Sequence, residues 1–424
     1  MYLTDRSTPQ RADTEQRRRR GLRSRAAPVV FVLGTVSLIT DISSEMVTAV
    51  LPLYLVTTLG FTPLGFGALD GVYNGVSALV QLAGGHLADR VRNHKLIAGL
   101  GYGLSALCKP LLLLVSSVGA IGTVLALERT GKGLRTAPRD AMISLSTPPE
   151  NQGRAFGVHR AMDTTGAMLG PLAAFFILRA ATDGYDAVFG VSACVAVLGV
   201  LVLVLFVPGR PKNPPSDADV VADTRPPVQL REALSLLRLP RLRALAGCAA
   251  LLGLTTVSDA FVYLLLQRRA GIGEQWFTLL PLGTAVVFLL LAMPVGALAD
   301  RIGRRTVFLA GHAALLIGYA LLLWAPATPA LPPVVLALHG VFYAATDGVL
   351  PAALADIVPE QLRASGLALV GTSQALARFC CSLAFGAAWT VWGDGPALAG
   401  AAAGLLCCAT VAGMVLRPNG GTRP

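Results

Sequence analysis

Long apolar segments recur along the chain, and glycines, prolines and clusters of charged residues separate them. A helix needs about 20 mostly apolar residues to cross a bilayer, and these segments are long enough. The pattern predicts an all-α membrane protein whose twelve transmembrane helices lie near 29–57, 65–88, 96–115, 119–145, 154–178, 187–207, 241–266, 275–299, 306–325, 331–355, 364–388 and 396–416.

One long polar segment divides these spans into two groups of six. Residues 208–240 are rich in proline and lack apolar periodicity, which is typical of a linker. We therefore expect a six-helix bundle at 29–207, a cytoplasmic linker at 208–240 and a second, pseudo-symmetric bundle at 241–416. Residues 1–28 form an expected disordered basic tail, and 417–424 a short cytoplasmic tail.

The composition supports a membrane protein. Apolar residues make up 54% of the chain and charged residues 14%, whereas a soluble domain carries about 25% charged residues. The seven cysteines all fall within apolar segments, without CxxC or Cys/His spacing, so we interpret them as small buried hydrophobic residues. We expect no metal site and no cofactor.

The net charge of +11 raises the alternative of nucleic-acid binding, and the positions of the basic residues argue against it. Most lysines and arginines outside the spans lie on the side of the N-terminal tail, and only Arg179, Arg268 and Arg269 lie on the other. This asymmetry predicts cytoplasmic termini in the plasma (inner) membrane. The first apolar segment is too long for a signal peptide and contains Asp41 and Glu45.

Two motifs recur at nearly one offset, which indicates duplication. The sequence G-x-L-A-D-R at residues 85–90 returns at 296–301, 211 residues later, in the loop after the second span of each half. A second motif, P-E followed by R-A-x-G, occurs at 149–157 and again at 359–366.

These features resemble the major facilitator superfamily. Residues 296–305, GALADRIGRR, match the loop signature of that family throughout, while the first copy departs from it at residues 92–95. In span 5, Gly157, Gly166, Gly170 and Pro171 resemble a pattern that the family associates with proton-driven exporters. Small residues at such spacing are also typical of close helix packing, and the two interpretations are compatible.

Ten charged residues lie well inside the predicted spans. Each costs on the order of 3 kcal/mol if it faces lipid, so we expect them to face one another or water inside the bundle. They are Asp41, Glu45, Lys109, Glu128, Arg129, Lys132, Asp163, Asp259, Asp347 and Arg378. By depth, Arg129 is expected to lie beside Asp163, and Asp347 beside Arg378.

Polar stripes on spans 1, 2 and 10 predict a water-accessible cavity. Residues at i, i+4 and i+7 share a helix face, and such stripes either line a cavity or tie helices together by hydrogen bonds. The residues expected in the substrate cavity are Asp70, Asn74, Gln81, Lys109, Asp259, Tyr343, Asp347 and Arg378. The cations among the buried residues make an anionic or zwitterionic substrate plausible.

The two loop motifs predict a cytoplasmic gate. A carboxylate can stabilise a nearby helix N-terminus by about 0.3 to 2 kcal/mol, so we expect Asp89 to meet the start of span 11 near Arg363, and Asp300 the start of span 5 near Arg154. The alternative is that the charges of these loop motifs only set the orientation of the protein in the membrane. The gate residues are Gly85, Asp89, Arg90, Arg154, Gly296, Asp300, Arg301, Gly303, Arg304, Arg305 and Arg363.

The resemblance and the buried charges together predict a transporter that exports a small molecule in exchange for protons by alternating access. Proton coupling is assigned to Asp41, Glu45 and Asp163, with Arg129 as the neighbouring cation. A proton-coupled importer of a small metabolite is the alternative on the same fold. No enzyme motif such as GxxxxGK[ST], HExxH or GxSxG is present. The expected partners are the substrate, protons and the lipid bilayer, without nucleic acid, and the protein is expected to work as a monomer.

Overall fold

A computed structural model describes residues 28–73, 75–76, 80, 93–147, 152–207, 238–347, 349–355, 357–358 and 363–416, and these residues contain helices and no strand. We label the helices α1 (Pro28–Leu53, continued by a π-helical turn at Tyr54–Thr58), α2 (63–73), α3 (His94–Leu111), α4 (Val118–Leu145), α5 (Gln152–Ala180), α6 (Gly184–Phe206), α7 (Pro240–Gly253), α8 (Asp259–Ala270), α9 (Glu274–Phe277), α10 (Leu280–Ile302), α11 (Arg304–Trp324), α12 (Leu331–Thr346), α13 (Val349–Ala355), α14 (Arg363–Trp392) and α15 (Asp394–Val415).

Within the described part of the chain, seven segments are long and apolar enough to cross a membrane. They are Pro28–Thr58, Arg154–Ala180, Gly184–Phe206, Glu274–Ile302, Arg304–Trp324, Leu369–Trp392 and Asp394–Val415. Large apolar side chains such as Leu205, Leu290 and Met293 are exposed on two of them. An exposed apolar surface of this kind is expected where a helix faces lipid rather than water.

The helices pack in two sets along the chain. In the first set, α1 packs along α5 and α6, and α3 packs along α4. In the second set, α12 packs against α10 and α11, and α14 packs against α7 and α15. Contacts between the sets include those of α1 and α5 with α8, α9 and α10, and those of α2 with α14.

The span expected at 241–266 is not one continuous helix, because the chain leaves the helical path between α7 and α8. α7 ends at Gly253, and Ser258 is the N-cap of α8. Threonine and valine at 255–257 lower helix propensity, and a serine before an aspartate favours a new helix start. The freed backbone N–H of Val257 donates to the Tyr319 hydroxyl at 2.8 Å. The span expected at 331–355 is also divided, into α12 and α13.

The interpretation of the cysteines is right for Cys108, Cys248 and Cys381, which are buried. It is wrong for Cys194, Cys380 and Cys407, which are exposed, and Cys408 is partly exposed. Since these four lie on helices, their thiols occupy the outer surface of an apolar helix, where cysteine behaves as a small hydrophobic residue. All seven are free.

Gly166 and Gly170 allow α5 to lie directly against α1. A Cβ atom at Gly166 would lie 2.5 Å from the Leu38 carbonyl oxygen, and one at Gly170 would lie 2.7 Å from the Glu45 Cβ. Overpacking of this kind costs about 1 to 3 kcal/mol. We therefore expect Gly166→Ala to lower the melting temperature of the purified protein in detergent.

Gly157 of the same motif provides the matched control. A Cβ there meets no atom within 4 Å, so Gly157→Ala is expected to keep or slightly raise the melting temperature, because alanine is the better helix former. Equal melting temperatures for the two variants would contradict the packing role of Gly166.

Candidate functional site

A cavity of about 410 Å³ lies between the two sets of helices, within the range of about 300 to 1,000 Å³ that is typical of small-molecule sites. Residues from both sets line it. The charged lining residues are Glu45, Asp70, Asp259, Asp347 and Arg378, and the aromatic ones are Tyr73, Tyr263, Phe277, Phe288 and Tyr343.

The structure places five of the eight expected cavity residues in this lining, namely Asp70, Asp259, Tyr343, Asp347 and Arg378. Asn74 and Gln81 lie outside the described residues. The assignment of Lys109 to the cavity is wrong. Its side chain points from α3 toward α4, where Nζ lies 3.2 Å from Glu128 Oε1, and the residue is 2% exposed.

The second set of helices supplies a hydrogen-bonded wall around Asp259. Tyr343 donates to Asp259 Oδ1 at 2.6 Å, and His339 Nε2 lies 3.0 Å from the same oxygen. His339 and Tyr343 are four residues apart on α12 and therefore share a face. Because Asp259 is the first residue of α8, its carboxylate also lies at the N-terminal end of a helix, which favours negative charge.

Asp70 joins the two sets at the cavity. Ser382 of α14 donates to Asp70 Oδ2 at 2.6 Å. Nearby, the Tyr263 hydroxyl donates to Thr284 Oγ1 at 3.1 Å, which links α8 to α10. These bonds fix polar side chains that come from distant parts of the sequence.

Behind the cavity, the first set contains a buried charge network whose centre is α4. Residues 128, 132, 135 and 139 are three or four positions apart and therefore share one face of α4. The first member, Glu128, is 3% exposed and contacts both Lys109 and Arg129 Nε, the latter at 2.6 Å. The Arg129 guanidinium also stacks on the Tyr73 ring, 3.6 Å from its centroid, in cation–π geometry.

The middle of the network connects α4 to α1. Lys132 Nζ lies 3.5 Å from Glu45 Oε1, and Arg135 Nη2 lies 3.2 Å from Asp41 Oδ1. Glu45 lines the cavity. Asp41 and Arg135 are both buried, so the network extends from the cavity into the protein interior.

The far part of the network connects α4 to α5. Arg139 Nη1 lies 3.6 Å from Asp163 Oδ1 and donates to the Ser37 hydroxyl at 3.1 Å. The carboxyl groups of Asp41 and Asp163 lie close enough to interact directly. Two neighbouring carboxyl groups repel each other when both are ionised.

The expected pairing of Arg129 with Asp163 is wrong. Arg129 contacts its own neighbour Glu128, while Asp163 contacts Arg139 and, at 3.6 Å, Arg160. The physical reason is rotation about the helix axis, since Arg129 points toward α2 and Arg139 toward α5. Of the four residues assigned to proton coupling, Glu45 lines the cavity, whereas Asp41, Arg129 and Asp163 lie outside its lining.

Sequence reasoning missed Arg135 as a site residue. Arg135 is 2% exposed and stacks over Tyr102, with its guanidinium carbon 4.5 Å from the ring centroid. The repeat of charged residues at 128, 132, 135 and 139 was the available signal.

Helices of the two sets meet tightly at one end of the molecule, which we call the closed end and define by residues 61–67, 272–277 and 386–390. Leu64 N donates to Thr390 Oγ1 at 2.9 Å, and the Phe66 and Phe261 rings contact edge to face. The Tyr185 hydroxyl donates to Glu274 at 3.0 Å. Gly67 lies directly against the backbone of α14.

The described gate residues of α10 and α11 lie at the opposite end. Gly303 has φ of +96° and forms the turn between α10 and α11, a conformation that favours glycine. Asp300 is 70% exposed and lies 3.7 Å from Arg304 of its own loop. In this conformation Asp300 is therefore not docked on the start of α5, because an exposed carboxylate is not docked on a helix end. The expected docking stays a prediction for the conformation in which this end is closed.

The remaining gate assignments are less fully described. The Arg305 guanidinium donates to the Gly413 carbonyl, which ties α11 to α15 rather than to α5. Arg154 is exposed, Gly296 and Arg301 lie near the end of α10, and Gly85, Asp89, Arg90 and the Arg363 side chain lie outside the described residues.

Comparison with known proteins identifies the family. The profile of the Major Facilitator Superfamily matches residues 33–379 and 275–423. An MFS-type transporter of Methanocaldococcus jannaschii is 30% identical over 373 residues, which cover 85% of this chain and 88% of that protein. A protein of Mycobacterium tuberculosis is 32% identical over 162 residues, which cover 38% of this chain and 39% of that protein. The chain belongs to the major facilitator superfamily.

Solved structures show the same fold. The nucleoside transporter NupG has a TM-score of 0.78 at 13% identity, with 92% of this chain and 100% of that chain covered. A bacterial homologue of the human lysosomal transporter Spinster, inward-facing and unoccupied, has a TM-score of 0.67 at 16% identity, with 92% and 94% covered. The protein is thus a multi-pass membrane transporter of small molecules and not an enzyme.

Proposed function

We propose that this transporter exports a small molecule in exchange for protons by alternating access. Two six-helix bundles, 29–207 and 241–416, move about the central cavity and expose it to one side of the membrane at a time. In this proposal the chain spans the plasma membrane twelve times as a monomer, the linker at 208–240 and both termini are cytoplasmic, and the closed end faces outward.

The observation that carries the proposal is the row of three ion pairs along one face of α4, Arg139–Asp163, Arg135–Asp41 and Lys132–Glu45, the last of which lies at the cavity wall. Desolvation favours the protonated form of a carboxyl group, whereas a neighbouring cation favours the carboxylate. Arg135 and Arg139 oppose the desolvation of Asp41 and Asp163. A shift of α1 against α4 changes this balance, so protonation and helix position are coupled.

Substrate binding changes the same charge interactions through Glu45. A ligand in the cavity competes with Lys132 for the Glu45 carboxylate, and Lys132 lies one turn from Arg135 on the same face of α4. Release of a proton into the cell then accompanies the outward step. One charge that moves down 100 mV supplies about 2.3 kcal/mol, enough for an outward concentration ratio of roughly fiftyfold.

In this proposal, the gate residues make their contacts in the outward-facing conformation. At the end opposite the closed end, Asp300 is exposed and pairs with Arg304. When this end closes, Asp89 and Asp300 approach the starts of α14 and α5 and stabilise the outward-facing state through the helix dipoles.

Proteoliposomes that contain a pH dye and are preloaded with a compound library test the proposal. Export predicts that protons move opposite to the substrate, whereas the alternative, a proton-coupled importer, predicts that both move in one direction. Asp163→Asn is expected to reduce substrate-linked proton movement at least about tenfold, since the Asp41–Asp163 pair can no longer exchange a proton.

Asp183→Asn is the matched control, because Asp183 is exposed at the start of α6 and its side chain makes no capping bond. It is expected to transport normally. Unchanged proton movement in Asp163→Asn would overturn the assignment of proton coupling to this network.

A further inference from the structure

We propose that the substrate is an organic cation whose positive charge is bound at Asp347 and whose apolar part contacts the aromatic residues of the cavity. This inference rests on the proposed function of the same cavity as the transport site. It replaces the expectation of an anionic or zwitterionic substrate, because Lys109 and Arg129, two of the cations behind that expectation, do not line the cavity.

The charge of the cavity wall is the first observation that favours a cationic substrate. Of the residues that the structure describes, four carboxylates line the cavity, and Arg378 is the one cation among its lining residues. Lys132 lies beside Glu45 at 3.5 Å and balances that residue. Three carboxylates then face a single guanidinium, so the wall is negative in every state in which they are ionised, and a negative wall attracts cations and repels anions.

The partners of the carboxylates single out one of them. Asp70 accepts from Ser382, and Asp259 accepts from Tyr343 and contacts His339. Among the described residues, the Asp347 side chain has no hydrogen bond and no ion pair within 4 Å. Asp347 is exposed and lines both the central cavity and an adjoining one of about 140 Å³. It is therefore the carboxylate with capacity for a ligand.

Arg378 does not provide an anion site of its own. It interacts electrostatically with both Asp259 and Asp347, so two carboxylates share one guanidinium. An anion at Arg378 would have to approach both of them, and like charges oppose that approach. A cation at Asp347 instead compensates negative charge in the cavity wall.

Aromatic side chains provide the second, independent observation. Phe277, Phe288, Tyr263 and Tyr343 line the same cavity, and the faces of aromatic rings bind organic ammonium groups through cation–π interactions. The cavity volume of about 410 Å³ accommodates a cation with an attached aromatic ring. Such an aromatic lining does not favour the binding of a small inorganic cation or of a bulky dianion.

Three compounds of nearly one shape test the charge requirement. Phenyltrimethylammonium is a permanent cation, N,N-dimethylaniline is a neutral analogue at neutral pH, and benzenesulfonate is an anion. Calorimetric titration of the purified full-length protein is expected to show saturable binding of the cation, with the neutral compound at least about tenfold weaker and the anion not bound.

Variants locate the charge. Asp347→Asn is expected to weaken binding of phenyltrimethylammonium about tenfold, whereas Asp347→Glu keeps the charge and most of the binding, and Asp183→Asn binds as the wild type does. The melting temperature of each unliganded variant verifies folding. Unchanged binding in Asp347→Asn, benzenesulfonate binding as tight as that of the cation, or no saturable cation binding at millimolar concentration would overturn the inference.

The two proposals fail separately. If an anion binds and its transport drives protons through Asp163, the exporter proposal stands and the cation proposal falls. If the cation binds at Asp347 and its movement carries no protons, the cation site stands and proton exchange falls.

Discussion

The variant Glu128→Ala is expected to lose about 3 to 5 kcal/mol of folding stability, because removal of one partner leaves an uncompensated buried charge. Lys109 is 2% exposed and its ammonium has Glu128 as its ion-pair partner at 3.2 Å. Arg129 loses the same carboxylate and keeps its stacking on Tyr73. Reversible unfolding of the protein in mixed micelles, with tryptophan fluorescence as the signal, measures this loss.

A double variant separates charge from shape. Lys109→Met with Glu128→Gln removes both charges and keeps similar volumes, so it is expected to recover at least half of the lost stability. Glu274→Ala is the control, since it removes a glutamate whose hydrogen bond to Tyr185 is exposed, and we expect a loss below about 1 kcal/mol. A Glu128→Ala protein as stable as the Glu274→Ala protein would contradict a structural role for this ion pair.

The variant Gly67→Val is expected to prevent the closed end from closing and to reduce transport at least about tenfold. A Cβ at Gly67 collides with the Ser382 backbone carbonyl of α14, and backbone atoms cannot move aside without displacing the helix. The conformation with this end closed is thereby destabilised, and the population shifts toward the alternative conformation.

Accessibility of a cysteine at Thr284, which lines the cavity, measures the shift in a background without the native cysteines. In oriented vesicles, Gly67→Val is expected to raise maleimide labelling from the closed end and lower it from the Asp300 end. Gly400→Val introduces the same side chain on α15, where a Cβ meets no atom within 4 Å, and is expected to leave labelling unchanged. An unaltered pattern in Gly67→Val would show that this contact does not hold the end closed.

The sequence determines helix positions well where apolar length decides them. The expected spans at 119–145 and 154–178 lie within two residues of the observed α4 and α5, because charged or turn-forming residues bound each apolar segment. The expectation of buried charges facing one another also follows from the energetics of lipid exposure alone. Asp41, Glu128 and Arg135 meet that physical requirement in the first set of helices.

Ion pairs between helices and breaks within helices are harder to predict from the sequence. Depth along a helix follows from residue number, but rotation about its axis depends on neighbouring helices, and this is why Arg129 was assigned to Asp163 rather than to Glu128. The break at 254–258 depends on a distant hydroxyl, since Tyr319 satisfies the Val257 N–H. The closed end arises from contacts such as Leu64 with Thr390, which no local pattern encodes.

The non-helical segment between α7 and α8 gives this transporter a hinge. Asp259 stands at the start of α8, and Phe261, two residues further along, packs against Phe66 of the other helix set. Because residues 254–258 lie outside both helices, α8 can tilt over a bound solute while α7 stays in place. An occluded intermediate then requires the bending of a single short segment, and the larger movement of the lobes can follow as a separate and slower event.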